Sequence, residues 1–106
     1  MEVLRFRAKG WHSGPVMTAN TFFERWRGLR GAAPDASLLI RTNSVHGVGM
    51  DRPFQAIGLS EDYQVMESRV VAPGGFARFR SCKWVLETPA DAYPPAPGQT
   101  LELVDV

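Results

Sequence analysis

The sequence predicts a β-rich α+β domain of about seven short, mainly antiparallel strands, arranged as a sandwich or a partly open barrel, with one short helix near residues 21–30. Three observations favour this class. The chain has 106 residues, so residues 1–106 make a single domain. Hydrophobic residues are 44% and charged residues 22% of the chain, which is an ordinary globular composition. Beyond the predicted helix, short apolar or alternating runs bounded by turn residues indicate strands.

The first strand and the helix are predicted in the amino-terminal third. Apolar and basic residues alternate from Val3 to Lys9, as in a half-buried strand. Thr21 and Glu24 have the spacing of a capping box, in which two side chains satisfy each other's backbone donors. Gly31 is placed to end the helix, whose apolar face would be formed by Phe22, Phe23, Trp26 and Leu29.

The remaining strands follow one another with turn residues between them. Turn sequences such as Pro34-Asp35 and Ser60-Glu61-Asp62 interrupt the apolar runs. The strands are predicted at Ser37–Thr42, Val45–Met50, Phe54–Leu59, Tyr63–Val71, Phe76–Arg80, Lys83–Glu87 and Thr100–Val104.

The charge is unevenly distributed although its total is only +1. Residues 1–30 carry six basic and two acidic side chains, whereas residues 81–106 carry one basic and four acidic ones. Either the first third attracts an anionic partner, or the two ends lie side by side and complement each other. A nearly neutral chain without clustered Lys and Arg is not typical of a nucleic-acid-binding protein, so we predict no such partner.

Cellular location and cofactors are constrained by what the chain lacks. Cys82 is the single cysteine, which excludes an internal disulfide and a cysteine-based zinc site. The charged amino terminus is unlike a signal peptide, and no apolar run is long enough to span a bilayer. We therefore expect a soluble cytoplasmic protein, monomeric or weakly dimeric, without cofactor, bound metal or membrane partner.

Three motifs, in order, resemble those of the domain-of-unknown-function 192 family over about residues 16–104. They are Arg25-x-x-Gly28-Leu29, the Gly49-Met50 pair with Pro53, and Val85-Leu86-Glu87-Thr88-Pro89. The resemblance implies a small β-rich α+β domain of bacteria and archaea with no settled biochemical function. It also implies structural roles for Arg25, Gly28, Leu29, Pro53, Glu87 and Pro89. The sequence departs from the family at Gln55, where an acidic residue is usual.

The segment Val45–Pro53 is the predicted functional site. Glycines there are expected to leave backbone groups open to a ligand, beside a titratable imidazole, an adaptable thioether and a guanidinium that can hold an anion. The predicted ligand-binding residues are His46, Gly47, Gly49, Met50 and Arg52. The alternative interpretation is that the glycines only let a strand bend.

No other group of residues indicates catalysis. His46 and Met50 would share a face of one strand, but two soft donors are too few for a metal site. Cys82 lies between cations, which favour a thiolate, yet no catalytic signature accompanies it, and we predict a structural thiol. Glu87 is predicted to be partly buried and paired with Arg25.

The predicted function is therefore a non-catalytic binding or accessory module for a small ligand or a protein segment. Two alternatives stay open at this point. One is a small hydrolase-like enzyme with His46 as general base, and the other is a structural partner in an assembly.

Overall fold

The computed structural model describes residues 4–19, 37–91 and 93–105. The regular secondary structure within these ranges consists of β-strands alone. They are β1 Leu4–Ala8, β2 Trp11–His12, β3 Val16–Ala19, β4 Ser37–Ile40, β5 Ser44–His46, β6 Phe54–Leu59, β7 Val65–Val71, β8 Phe76–Arg78, β9 Trp84–Pro89 and β10 Glu102–Asp105. The α+β class is therefore wrong for the described chain, which is all-β. The helix predicted near residues 21–30, with Arg25, Gly28 and Leu29, lies outside the described residues.

All eight predicted strands are found, the amino-terminal one and the seven that follow the predicted helix, together with two that the sequence reasoning missed. Predicted strand 45–50 is the least accurate, because β5 ends at His46 and a turn follows. The missed strands β2 and β3 are two and four residues long. They flank Gly14-Pro15, a sequence that is typical of a turn or loop. Strands of that length carry too few residues for a recognisable alternation.

The main sheet curls into a half-barrel. Its strand order is β10-β1-β3-β4-β9-β6-β7, with β2 paired to β1, and all its neighbours are antiparallel except β3 and β4. At one end the edges of the sheet approach each other, because Gln64 forms a bridge with Thr100 and the Leu101 N–H donates to the Tyr63 carbonyl at 2.9 Å. The predicted partly open barrel is close to this arrangement.

Both faces of the central strands are buried, which explains why β4 and β6 are buried at every position. The inner face carries a core formed by Phe6, Leu39, Ile57, Leu59, Val65, Leu86 and Leu101. The outer face carries a second core that includes Leu38, Ile40, Val45, Phe54, Ala56, Phe79, Cys82 and Val85. A small sheet, β5 paired antiparallel with β8, contributes Val45 and Ala77 to this second core.

The two ends of the chain lie side by side, as one of the two charge interpretations predicted. β1 pairs with β10 along four residues, and Arg7 contacts Glu102 at 3.1 Å. The basic first strand therefore has an acidic neighbour. No helix among the described residues has the length and apolar character needed to cross a membrane.

Candidate functional site

The predicted site at Val45–Pro53 is held against the turn that joins β7 to β8. The Gly47 N–H donates to the Gly75 carbonyl at 2.8 Å. The Gly47 carbonyl accepts from the N–H groups of Met50 at 3.0 Å and Gly74 at 2.9 Å. The backbone groups of Gly47 are thus hydrogen-bonded within the protein. The expectation that they would be open to a ligand is wrong.

Close packing explains why glycine is needed there. A Cβ at Gly47 would lie 2.4 Å from the Ala72 carbonyl oxygen, a distance no side chain can occupy. Gly49 has a φ of +84°, in the left-handed region that glycine adopts without strain. Both glycines therefore shape the loop that follows β5, in line with the bending interpretation.

The other predicted site residues have different surroundings. His46 is half-buried opposite Phe76, and its Nδ1 accepts the Val48 N–H at 3.3 Å. Since β5 ends at His46, Met50 does not share a strand with it, and Met50 packs against the outer-face core. Arg52 and Pro53 are exposed before β6. A role for His46 as general base would have to use Nε2.

Cys82 is a buried thiol, as predicted. Its Sγ would lie 2.7 Å from a Cβ placed at Gly58. Burial raises the pKa of the Cys82 thiol, and the nearby carboxylate of Glu67 raises it further. The thiol is therefore protonated at neutral pH, which is the opposite of what a nucleophile requires.

Glu87 is 5% exposed on β9, and this agrees with the predicted burial of its carboxyl group. Leu38 on one side and Ala56 on the other are its cross-strand neighbours. Pro89 ends the same strand. The predicted partner Arg25 lies outside the described residues, so the Arg25–Glu87 pair stays a prediction.

The structure shows an exposed surface beside the predicted site, which we call the β8 edge. Phe76 has 68% of its surface exposed, although it lies directly opposite His46. Arg78 and Arg80 are exposed farther along, and residues 76–83 hold three basic and no acidic side chains. An apolar side chain is thus presented among cations.

A second feature is a group of polar side chains on the inner face, which we call the inner polar patch. Its members are Ser37 on β4, Thr88 on β9, Gln55 on β6 and Ser68 on β7. Gln55 pairs with Thr88, and the register of β4 with β9 sets Ser37 opposite Thr88. Ser68 pairs with Ile57 of the inner core, so it shares this face.

Two hydroxyls of the inner polar patch are buried without a partner. Ser37, Gln55 and Thr88 are 0%, 5% and 4% exposed. The Oγ atoms of Ser37 and Ser68 are buried and have no hydrogen-bond partner among the described residues. A buried hydroxyl normally has one, so these atoms require an explanation.

The sequence reasoning did not find either feature. The inner polar patch had a weak signal, because Ser37, Gln55 and Thr88 are polar residues in or beside apolar runs. Only the pairing of β4, β9 and β6 shows that they share a row. Phe76 was expected in a strand, but exposure cannot be inferred for a residue in a run as short as Phe76–Arg80.

Comparison with known proteins supports the fold alone. No family model matches the sequence, and no curated protein does. A crystal structure from Sinorhizobium meliloti 1021, named a "putative transcription regulator", is 22% identical, with a TM-score of 0.72 over 95% of this chain and 92% of that chain. A protein of unknown function from Novosphingobium aromaticivorans DSM 12444 is 15% identical, with a TM-score of 0.72 over 94% of this chain and 83% of that one. The resemblance to the domain-of-unknown-function 192 family stays a prediction.

Proposed function

We propose that the protein is a non-catalytic binding module that takes an extended, acidic segment of a partner protein along the β8 edge. The observation that carries this proposal is the exposed Phe76, followed by cations, on a strand that pairs with β5 alone among the described residues. This refines the predicted function, since it selects a protein segment as the partner of the region around His46.

The direction of the backbone groups follows from two hydrogen bonds at the ends of the small sheet. Gly47 N–H donates to the Gly75 carbonyl, and the Phe79 N–H donates to the Asn43 carbonyl at 2.7 Å. In an antiparallel pair, hydrogen-bonded and non-hydrogen-bonded positions alternate. The N–H and C=O groups of Phe76 and Arg78 therefore point away from β5, toward the side of β8 that has no strand partner within residues 4–19, 37–91 and 93–105.

An open edge of this kind can accept another strand. Added strands gain affinity from main-chain hydrogen bonds and specificity from the side chains they meet. Here the added strand would meet one large apolar side chain and the guanidinium groups of Arg78 and Arg80. Those groups form no ion pair within the described residues, so a segment with an apolar residue between acidic ones is the complementary partner.

Short, charged edge strands also protect proteins from aggregation, and this is the competing explanation for Arg78 and Arg80. It does not account for Phe76, because a large exposed aromatic side chain on an edge favours association. The exposure of Phe76 therefore favours partner binding over protection from aggregation.

The proposal is tested by fluorescence polarisation with a labelled nonapeptide that alternates Glu and Val around a central Phe. We expect saturable binding that weakens with salt, and that weakens about tenfold or more in Phe76→Ala and in Arg78→Glu. Tyr93→Ala is the matched control, since Tyr93 is 90% exposed and contributes only its carbonyl oxygen, to the Trp11 indole N–H.

Three outcomes would contradict the proposal. Equal binding of a peptide with Lys in place of Glu would show that charge is not recognised. Equal loss in Tyr93→Ala would show that any exposed aromatic residue suffices. A labelled DNA duplex is included because of the name of the Sinorhizobium structure, and its binding in competition with the peptide would assign the cations to nucleic acid.

A further inference from the structure

We infer that two copies of this chain associate through their β7 strands, which pair antiparallel about a two-fold axis at Ser68. β7 is the last strand in the order of the main sheet, so one of its sides faces away from β6. The pairing would join two main sheets into one continuous sheet. This inference does not depend on the proposed function, because the β8 edge belongs to the small sheet.

The unpaired side of β7 begins at Met66. At Val65 this side is already occupied, because the Val65 N–H donates to the Gln99 carbonyl at 2.7 Å and the Val65 carbonyl accepts the Gly98 N–H at 2.8 Å. Beyond Val65, no strand pairs with this side of β7 in the part of the chain that the structure describes. An edge strand of this kind is a template for pairing with another chain.

A hydrogen bond at the end of β6 shows which backbone groups of β7 are available. The Leu59 carbonyl points toward β9, where it accepts the Lys83 N–H at 2.8 Å. Because backbone groups alternate sides along a strand, those of Ala56 point the other way, toward its partner Arg69 on β7. The N–H and C=O groups of Arg69 are therefore used by β6, and those of the preceding Ser68 lie on the open side.

Charge selects the register of this pairing. Glu67 and Arg69 flank Ser68, and their side chains are 47% and 49% exposed. With the two-fold axis at Ser68, each Glu67 lies opposite the partner's Arg69, so two opposite-charge pairs form between the copies. An axis one residue away, at Glu67 or at Arg69, would set like charges directly opposite each other, which is destabilising. The strand is therefore complementary to a second copy of itself.

Exposed apolar side chains are the second reason. Met66 and Val70 lie on either side of the charged pair and expose 43% and 61% of their surface. With the axis at Ser68, each Met66 lies at the level of the partner's Val70, so pairing removes apolar surface of both residues from water. The interface is small, because only Met66–Val70 of each copy takes part, and association should depend on protein concentration.

Charged residues on an edge strand can also serve to prevent pairing. That protection works by repulsion between copies, which requires charges of one sign. Glu67 and Arg69 have opposite signs, and their order attracts an antiparallel copy of the same strand. The charge pattern of β7 therefore favours association over protection.

The test is sedimentation velocity over a range of protein concentrations. We expect a reversible monomer–dimer equilibrium in the parent, weakened about tenfold or more in Glu67→Arg and in Arg69→Glu, because each change sets like charges opposite each other. An equimolar mixture of the two variants should dimerise again, since the arginines of one strand then face the glutamates of the other. Neither variant keeps the ion pair within its own strand, so recovery in the mixture reports contacts between chains.

Oxidation of Ser68→Cys tests the register. Residues opposite each other at a hydrogen-bonded position have Cα atoms about 5.5 Å apart, a distance that a disulfide spans, so this variant should form a covalent dimer. Val70→Cys should not, because the two Val70 positions lie on opposite sides of the axis. The parent should not either, because Cys82 is buried.

Glu102→Arg is the matched control, since it reverses an exposed charge on β10, the strand at the other edge of the main sheet. A parent that stays monomeric, a mixture that does not recover, cross-linking of Val70→Cys in place of Ser68→Cys, or equal loss in Glu102→Arg would each overturn the inference. Urea denaturation of each variant shows whether it is folded. Phe76→Ala should dimerise as the parent does, which keeps this test separate from that of the β8 edge.

Discussion

The turn around Gly47 and the inner polar patch are both buried and polar, but they treat their polar groups differently. At Gly47 the N–H and the carbonyl are both hydrogen-bonded, and a neighbouring carbonyl fills the space where a side chain would be. In the inner polar patch, two buried hydroxyls have no partner within the described chain. The first region satisfies its polar groups, whereas the second leaves two buried hydroxyls unsatisfied, at a cost in stability.

The largest expected effect is in the first region. Gly47→Ala places a Cβ 2.4 Å from the Ala72 oxygen, which is backbone and cannot turn aside. We expect the free energy of unfolding to fall by about 3 kcal/mol, measured from urea denaturation. Gly74→Ala is an informative comparison, because nothing lies within 4 Å of its Cβ position and its φ of +77° is the sole source of cost. A loss below about 1 kcal/mol in Gly47→Ala would contradict the packing argument.

A buried serine with partners sharpens the comparison. Ser13 is 3% exposed, its Oγ accepts the Phe6 N–H at 2.9 Å, and its hydroxyl donates to the Gly14 carbonyl at 2.7 Å. Ser13→Ala leaves a buried N–H without an acceptor, so we expect a loss of about 1–3 kcal/mol in unfolding free energy. An unchanged unfolding free energy in Ser13→Ala would mean that mutation does not distinguish hydroxyls with a hydrogen-bond partner from hydroxyls without one in this protein.

The sequence predicted the strands well where each run was long enough to show its pattern. β6 matches its predicted bounds, Phe54–Leu59, because six buried residues stand between clear turns. The turn at Gly47 was placed inside a strand, since close approach of Ala72 is a tertiary contact with no local signature. The inner polar patch was missed for the same reason: each member is unremarkable along the chain, and only strand pairing brings them together.

The third expected effect has the opposite sign to that of Ser13→Ala. Ser37→Ala removes a buried hydroxyl that has no partner among the described residues, and so replaces an unsatisfied polar group by an apolar one. We expect the unfolding free energy to be unchanged or to rise by up to about 1 kcal/mol. A loss as large as that of Ser13→Ala would show that the hydroxyl already contributes to stability, and would remove the contrast between the two serines.

The smallest expected effect is on the pH dependence of the unfolding free energy. We expect this dependence to arise from the Arg41–Glu61 pair, and not from the turn around Gly47 or from the inner polar patch. Arg41 holds Glu61 through two contacts, at 2.7 and 2.8 Å, and also lies over the Trp84 ring. This hydrogen-bonded pair lowers the pKa of Glu61 below its ordinary value of 4.5. A carboxyl whose pKa is lower in the folded state stabilises the protein fully above its unfolded pKa and loses that contribution as the pH falls through the folded pKa.

Glu61→Gln should therefore flatten the decline of unfolding free energy below about pH 4.5, and it should leave stability at neutral pH nearly unchanged because the pair is exposed. Arg41→Gln should have the same effect, and the double variant should add little, since both changes remove one interaction. Ser37→Ala should keep the decline of the parent, because its hydroxyl does not titrate. The measurement is a series of urea denaturations between about pH 3 and 7. A decline that Ser37→Ala alters and Glu61→Gln does not would place the acid-sensitive group at the inner polar patch, against its uncharged character.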